Sequence, residues 1–243
     1  MSKKQNARPL GRALVRRCYL RGCVVNISVF TMKKQGAKPV GRISCFVDGF
    51  NLYWGMKYKK LDRYLWLDIR KLMESVAGGP EHVVSVNYFT AFVLGDADKQ
   101  KRQTSFIEAL VEHSGLHVVL GSHQADDRVC KKCGHVETRY SEKMTDVGLA
   151  VQLMTEASQN TFDTAIILSA DSDLVPSLQA VRDLYPEKTL ISVFPPGRGS
   201  NHLRKASHGV IRIDSEPLFA ACQLPEEITK GDGYVLRRPD AWK

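Results

Sequence analysis

Four aspartates stand where short apolar runs give way to polar residues. Asp48 lies near the end of the run 43–50, in Phe46-Val47-Asp48-Gly49-Phe50-Asn51, and Asp171 and Asp173 follow Ile166-Ile167-Leu168-Ser169-Ala170. Asp146 opens a helical pattern just after Glu142 and Lys143. Brought together, such carboxylates suit Mg²⁺ or Mn²⁺, which take hard oxygen ligands, keep several waters and need a few anionic groups on rigid elements. The ion lowers the pKa of a bound water to make a nucleophile and neutralises charge building on a phosphate during in-line displacement. Zinc suits this group less, because no His or Cys ligand accompanies it.

Each acid also has an ordinary structural use. Asp173, before Leu174-Val175-Pro176, suits a helix N-cap, Asp146 a first helical turn favoured by the macrodipole, and Asp48, before Gly49, a turn. As a cluster they are harder to explain this way. Neighbouring carboxylates repel and raise one another's pKa values, a cost that a bound cation removes.

The elements that must position these acids alternate between strand and helix. β-Branched apolar runs predict strands at 43–50, 82–93, 116–122, 164–170, 189–194 and 210–213. Val147, Ala150, Val151 and Met154 recur at helical spacing, as do Phe106, Leu110 and Val111. Alternation with near-continuous apolar strands predicts an α/β fold, a mostly parallel sheet with helices on both faces. Ligands then collect beyond the carboxyl ends of the strands, and a sheet with its first and fourth strands adjacent would converge the acids there. The stretch 216–243 loses apolar periodicity beyond Pro225 and is expected as a C-terminal strap or tail.

Composition narrows the class further. The 243 residues are 43% apolar and 25% charged, which is an ordinary globular balance. No run approaches the roughly 18 to 20 apolar residues of a membrane-spanning helix. Six scattered cysteines point to a reducing compartment, the cytoplasm, rather than to a disulfide framework. Cys23 to Phe30 is interrupted by Asn26 and Ser28 and does not read as a signal peptide. The net charge of +9 is concentrated at one end: residues 1–42 hold eleven of the 35 Lys and Arg and no acid, leaving 24 bases against 26 acids in the rest. The segment 1–42 is therefore read as a basic, loosely ordered arm that either binds nucleic acid or stays solvated, with 1–31 an upstream extension before Met32.

Three blocks resemble the NYN domain family, in order and with suitable spacing, over about residues 43–215. They are Phe46-Val47-Asp48-Gly49-Phe50-Asn51-Leu52-Tyr53, Glu142-Lys143-Met144-Thr145-Asp146-Val147-Gly148-Leu149-Ala150 and Leu168-Ser169-Ala170-Asp171-Ser172-Asp173-Leu174-Val175-Pro176. The resemblance implies a three-layer PIN-like fold and a metal-dependent ribonuclease, an endonuclease acting on single-stranded or structured RNA with water as nucleophile. By position it makes Asp48, Asp146, Asp171 and Asp173 the ligands of Mg²⁺ or Mn²⁺, and Asn51 a neighbour that orients substrate or metal-bound water. Glu142 and Lys143 match the second block. Ala170 stands where the family often has Gly, and Leu174 where it often has Phe; neither departure removes an acid. Two rivals are a non-catalytic RNA-binding adaptor of the same fold and a phosphatase of the haloacid dehalogenase type. The second places its Asp-x-Asp after the first strand, whereas Asp171-Ser172-Asp173 comes late.

Other residues have weaker claims. Cys130 and Cys133, in an insert at about 123–141, have the spacing of half a zinc site. His123 and His135, Cys18 and Cys23, or a second protomer in a homo-oligomer would have to complete it. Lys143, and Arg198, Arg204 and Lys205 after Pro195-Pro196-Gly197, are candidates to hold an RNA backbone, against a solvated face as the ordinary alternative. Tyr53 and Trp54 either stack on an unpaired base or pack.

Overall fold

The computed structural model describes residues 14–20, 23–30, 41–129 and 131–243. In chain order the first elements are β1 (Leu14–Leu20), β2 (Cys23–Phe30), β3 (Ile43–Asp48), α1 (Gly49–Tyr58), α2 (Ile69–Ala77), β4 (Val83–Thr90), α3 (Ala97–Ser114) and β5 (His117–Leu120). A hairpin follows, β6 (Ser122–Val129) and β7 (Val136–Lys143), then α4 (Thr145–Ser158), β8 (Thr164–Leu168), α5 (Val175–Leu184), β9 (Thr189–Phe194), α6 (Asn201–Ala206) and β10 (Gly209–Arg212). The chain closes with α7 (Glu216–Ala221), β11 (Glu227–Thr229) and β12 (Val235–Arg237).

The six runs expected as strands form six parallel strands in the order β10-β9-β8-β3-β4-β5. β3 is buried on both faces, with Ile43, Cys45, Phe46 and Val47 wholly inaccessible, which is why its apolar run is continuous rather than alternating. The direction of winding reverses between β3 and β8, whose registers pair Phe46 with Ile167. The first and fourth of the six are thus neighbours. A crevice opens beyond their carboxyl ends at this switch point.

Two apolar layers enclose the sheet. On one face Cys45, Val47, Val86 and Tyr88 pack with residues of α1, α2, α3 and α7; on the other Phe46, Phe89 and Ile167 pack with α4, α5 and α6. The α4 helix forms where its spacing predicts, but with a different face inward. Leu149, Leu153 and Ala157 are buried, whereas Val147 and Val151 are 63% and 59% exposed. Both stripes are apolar, so periodicity alone does not choose between them. In α3, Phe106 and Leu110 are buried as expected and Val111 is exposed.

Three regions outside the six parallel strands also form regular elements. Within the arm, β1 and β2 pair antiparallel, and β2 joins the sheet antiparallel to β10 through Phe30, Val29 and Ser28. The β-branched residues of Cys23 to Phe30 suit a strand, and β2 has a neighbour on each side, β1 and β10. The insert forms the long antiparallel β6–β7 hairpin, registered from Ser122 opposite Lys143 to Val129 opposite Val136. The C-terminal segment is a strap fixed to the core: Leu218, Phe219 and Cys222 are fully buried, and the indole of Trp66 donates to Pro225 O at 2.7 Å. No helix among the described residues is long and apolar enough to cross a membrane.

Candidate active site

β3 ends because Asp48 turns the chain into α1. Its backbone is extended, and its Oδ1 accepts from Asn51 N at 2.9 Å, the geometry of an N-cap. Gly49 is required here by space: a Cβ would stand 2.6 Å from Tyr88 Oη and 2.9 Å from Phe89 O. The other Asp48 oxygen, Oδ2, accepts from Asn51 Nδ2 at 2.7 Å and from Ser169 Oγ at 2.9 Å. Asp48 is thereby held rigidly although it is 3% exposed. Burial raises its pKa, the bonds from Asn51 and Ser169 oppose that, and the charge of Asp171 adds to the rise.

After β8 the chain makes a short helical turn, Ser172–Leu174, before α5. Asp171 caps that turn, its Oδ1 accepting from Asp173 N at 3.0 Å, and Ser169 Oγ accepts from Asp171 N at 3.0 Å. Ser169 therefore links the Asp48 and Asp171 supports. The cap expected at Asp173 falls to Asp171, which leaves the Asp173 carboxylate exposed.

Asp146 enters from the first turn of α4. A carboxylate placed there merely to complement a helix dipole would be held low. Instead its pKa is pushed up to about 6, by burial first and then by the charges of Asp48, Asp171 and Asp173. Burial, with repulsion added to it, outweighs the dipole, and the charges of the other three acids all reach Asp146. Among the described residues none of the four makes a salt bridge.

Arg198 brings a cation to this group through Asn51. Its Nη1 donates to Asn51 Oδ1 at 2.7 Å, and that oxygen also accepts from Ala170 N at 3.3 Å. The loop carrying Arg198 is fixed by Gly197 N donating to Asp214 Oδ1 and by Arg212 Nη1 donating to Arg198 O, at 3.0 and 3.3 Å. Asp48, Asn51, Asp146, Asp171, Asp173 and Arg198 thus converge.

The remaining candidates lie further out. Lys143 is exposed at the base of β7, and Lys205 is exposed on α6. Arg204 is partly buried on the same helix, which packs against the 172–174 turn. Cys133 is exposed at the hairpin tip, and Cys130 lies outside the described residues. Cys18 and Cys23 are on β1 and β2, at the edge of the sheet opposite β5, which the hairpin follows in the chain. Ser169 is a supporting residue that the motif contains but does not mark out. Its position directly before the acidic turn was the available signal.

Among the described residues no group of three His, Cys, Asp or Glu is drawn tightly enough together to enclose an ion. The donor set nevertheless fits a hydrated Mg²⁺ or Mn²⁺, being all oxygen, anionic and rich in charge that no salt bridge balances. The NYN domain matches residues 42–214, most of the chain. This protein belongs to the NYN domain family. Its NYN domain has the PIN-like nuclease fold, and the matched span runs from the residue before β3 to just beyond β10. Among curated proteins the NYN chain is similar to 6-hydroxy-3-succinoylpyridine 3-monooxygenase from Pseudomonas putida, 26% identical over 86% of this chain and 78% of the relative. Among solved structures it is similar to a Vibrio parahaemolyticus protein of unknown function, with a TM-score of 0.49 and 20% identity over 75% of this chain and 98% of that one.

Proposed function

We propose that this protein is a metal-dependent ribonuclease that cuts RNA internally with Mg²⁺ or Mn²⁺. The observation that supports it is the convergence of Asp48, Asp146, Asp171 and Asp173 at the switch point of a NYN domain, with Arg198 bonded to Asn51 beside them. Asp48 and Asp171 are the preorganised ligands, because Asn51 and Ser169 fix their supports. Asp146 and Asp173, less constrained, complete the set from the α4 side and from solvent. When bound, the ion supplies an activated water and neutralises charge on the scissile phosphate. Arg198 places a guanidinium where that phosphate would enter, suited to forked contacts with its oxygens. The Asn51 amide holds the guanidinium and the Asp48 carboxylate in one bonded chain.

The test is cleavage of labelled single-stranded and hairpin RNAs by pure protein with Mn²⁺, Mg²⁺ or EDTA, beside Asp171→Asn. Products that need both the metal and Asp171 are expected. Undiminished cleavage by Asp171→Asn would refute the assignment, and salt-sensitive RNA retention without products would favour the adaptor. A second reading comes from the Pseudomonas relative, named for a substituted pyridine: a small heteroaromatic substrate in place of RNA. Failure of both cleavage and RNA retention would turn attention to that class.

A further inference from the structure

On the face of the sheet opposite the acidic layer, α1, α3 and residues 241–242 line a cavity of about 360 Å³. That volume lies in the range of small-ligand sites. Its walls are apolar and include the aromatic rings of Tyr53 and Trp54 from α1, Tyr88 from β4, Phe106 from α3 and Trp242 from the strap. Trp54 and Tyr53 meet edge to face with centroids 5.2 Å apart, and Phe106 and Trp242 do so at 5.7 Å. Trp54 is 53% exposed although Leu52 and Met56 of the same helix are buried. Its indole is therefore offered at the opening rather than consumed in the core.

Among the lining residues three bases, Lys57, Lys99 and Arg102, outnumber one acid, Asp62. Lys57 is engaged by Asp62, and Lys99 by Asp96 at 3.0 Å. Arg102 forms no salt bridge among the described residues. One guanidinium thus stands beside an aromatic slot without a direct ion pair, its charge felt by Asp96 only at longer range. Gly49 and Phe50, which directly follow Asp48, form the part of the wall next to the acidic crevice along the chain.

We propose that this cavity is a nucleotide subsite, in which the aromatic walls stack one base of an RNA strand and Arg102 holds that nucleotide's phosphate. Every base has a π-face for such walls, so the subsite reads single-strandedness rather than sequence. A paired base is already stacked and cannot enter. The choice of RNA as the source of the ring rests on the ribonuclease reading; the ligand chemistry, a planar heteroaromatic ring with an anionic group, rests on the cavity itself.

The experiment is calorimetric titration of the full chain in EDTA with 5′-UMP, 5′-AMP, a tetrauridylate and nicotinate, using wild type, Trp54→Ala, Arg102→Ala and Asp171→Asn. Both pocket positions are partly exposed, so these variants should fold, and circular dichroism checks this. Nucleotide affinity should fall roughly tenfold or more in each pocket variant, in line with loss of one stacked base or one phosphate contact. The tetrauridylate should compete with UMP. No measurable nucleotide binding, or equal affinity in the pocket variants, overturns the subsite. Nicotinate binding that the tetrauridylate does not displace overturns RNA as the source. If nucleotides bind through Arg102 but no RNA is cut, the ribonuclease reading fails and the subsite stands; Asp171-dependent cutting without a pocket effect gives the reverse.

Discussion

Asn51 Oδ1 accepts the Arg198 guanidinium at 2.7 Å while Asn51 Nδ2 donates to Asp48 Oδ2, also at 2.7 Å. One amide spans a cation from the loop after β9 and a buried carboxylate at the end of β3. Arg198→Ala should therefore lower kcat/KM for RNA roughly a hundredfold, as for loss of a preorganised donor at developing charge. Thermal stability should change little, since the Asp48–Asn51 bonds remain. Arg198→Lys keeps the charge without the fork and should recover part of the loss. Steady-state kinetics on one labelled RNA decides this; an Arg198→Ala enzyme as active as wild type would leave the guanidinium without a catalytic part.

Ser169 has no exposed surface and serves both acids, donating to Asp48 and accepting from Asp171 N. Ser169→Ala removes a donor from a buried carboxylate and an acceptor from the turn that places Asp171. A loss of about 1–3 kcal/mol in unfolding free energy is expected, along with weaker Mn²⁺ protection against denaturation. Urea unfolding with and without Mn²⁺ measures both. A variant equal to wild type in both respects would mean that the two acids need no such link.

The parts legible in the sequence were those set by local pattern. Strands buried on both faces carry unbroken β-branched runs, and Asp48 and Asp171 follow directly where those runs end. Asp146 was found by motif, since nothing in a helical spacing says that its carboxylate will meet the other three. The inward face of α4 was not legible: Leu149 and Leu153 compete with Val147 and Val151, and only packing against Phe46 and Phe89 decides. Between the strap and the loose tail that the C-terminal stretch allowed, the sequence does not choose, for a related reason. The strap's anchors, such as Pro225 O on the Trp66 indole, join residues 159 apart, and a short helix and a three-residue strand pair leave almost no periodicity. Arg198 was picked out as basic, but its bond to Asn51 crosses 147 positions and has no local signature.

The raised pKa of Asp146, about 6, gives a pH signature with a definite sign. A carboxylate unfolds to a pKa near 4, so the native state holds the proton more tightly than the unfolded one. The resulting stabilisation is fully present below the unfolded pKa and is lost as pH rises through about 6. In EDTA, the melting temperature of wild type relative to Asp146→Asn should thus fall between pH 4.5 and 7.5. Mn²⁺ has the opposite dependence, because it binds the deprotonated acid, and its stabilising effect should be larger at pH 7.5 than at pH 5. Melting curves of both proteins across this range, with EDTA or Mn²⁺, test the two signs together. A wild-type minus Asp146→Asn difference that stays flat with pH would mean that burial and the neighbouring acids do not raise the Asp146 carboxyl.

Gly49 offers a test of how closely geometry and chemistry are tied. A methyl group there would approach Tyr88 Oη at 2.6 Å and Phe89 O at 2.9 Å, and the second of these is backbone that cannot swing aside. Gly49→Ala must therefore move the start of α1 away from β4, at a cost of about 1–3 kcal/mol typical of overpacking. Asn51 lies in that first turn, so the same movement should lengthen its bonds to Asp48 and Arg198. RNA cleavage should then drop at a temperature where the variant is still fully folded. The measurement is activity beside circular dichroism on the same sample. Normal cleavage by a destabilised but folded Gly49→Ala would show that the acidic site tolerates displacement of α1, and that Asn51 does not fix Asp48 in the way its two short bonds suggest.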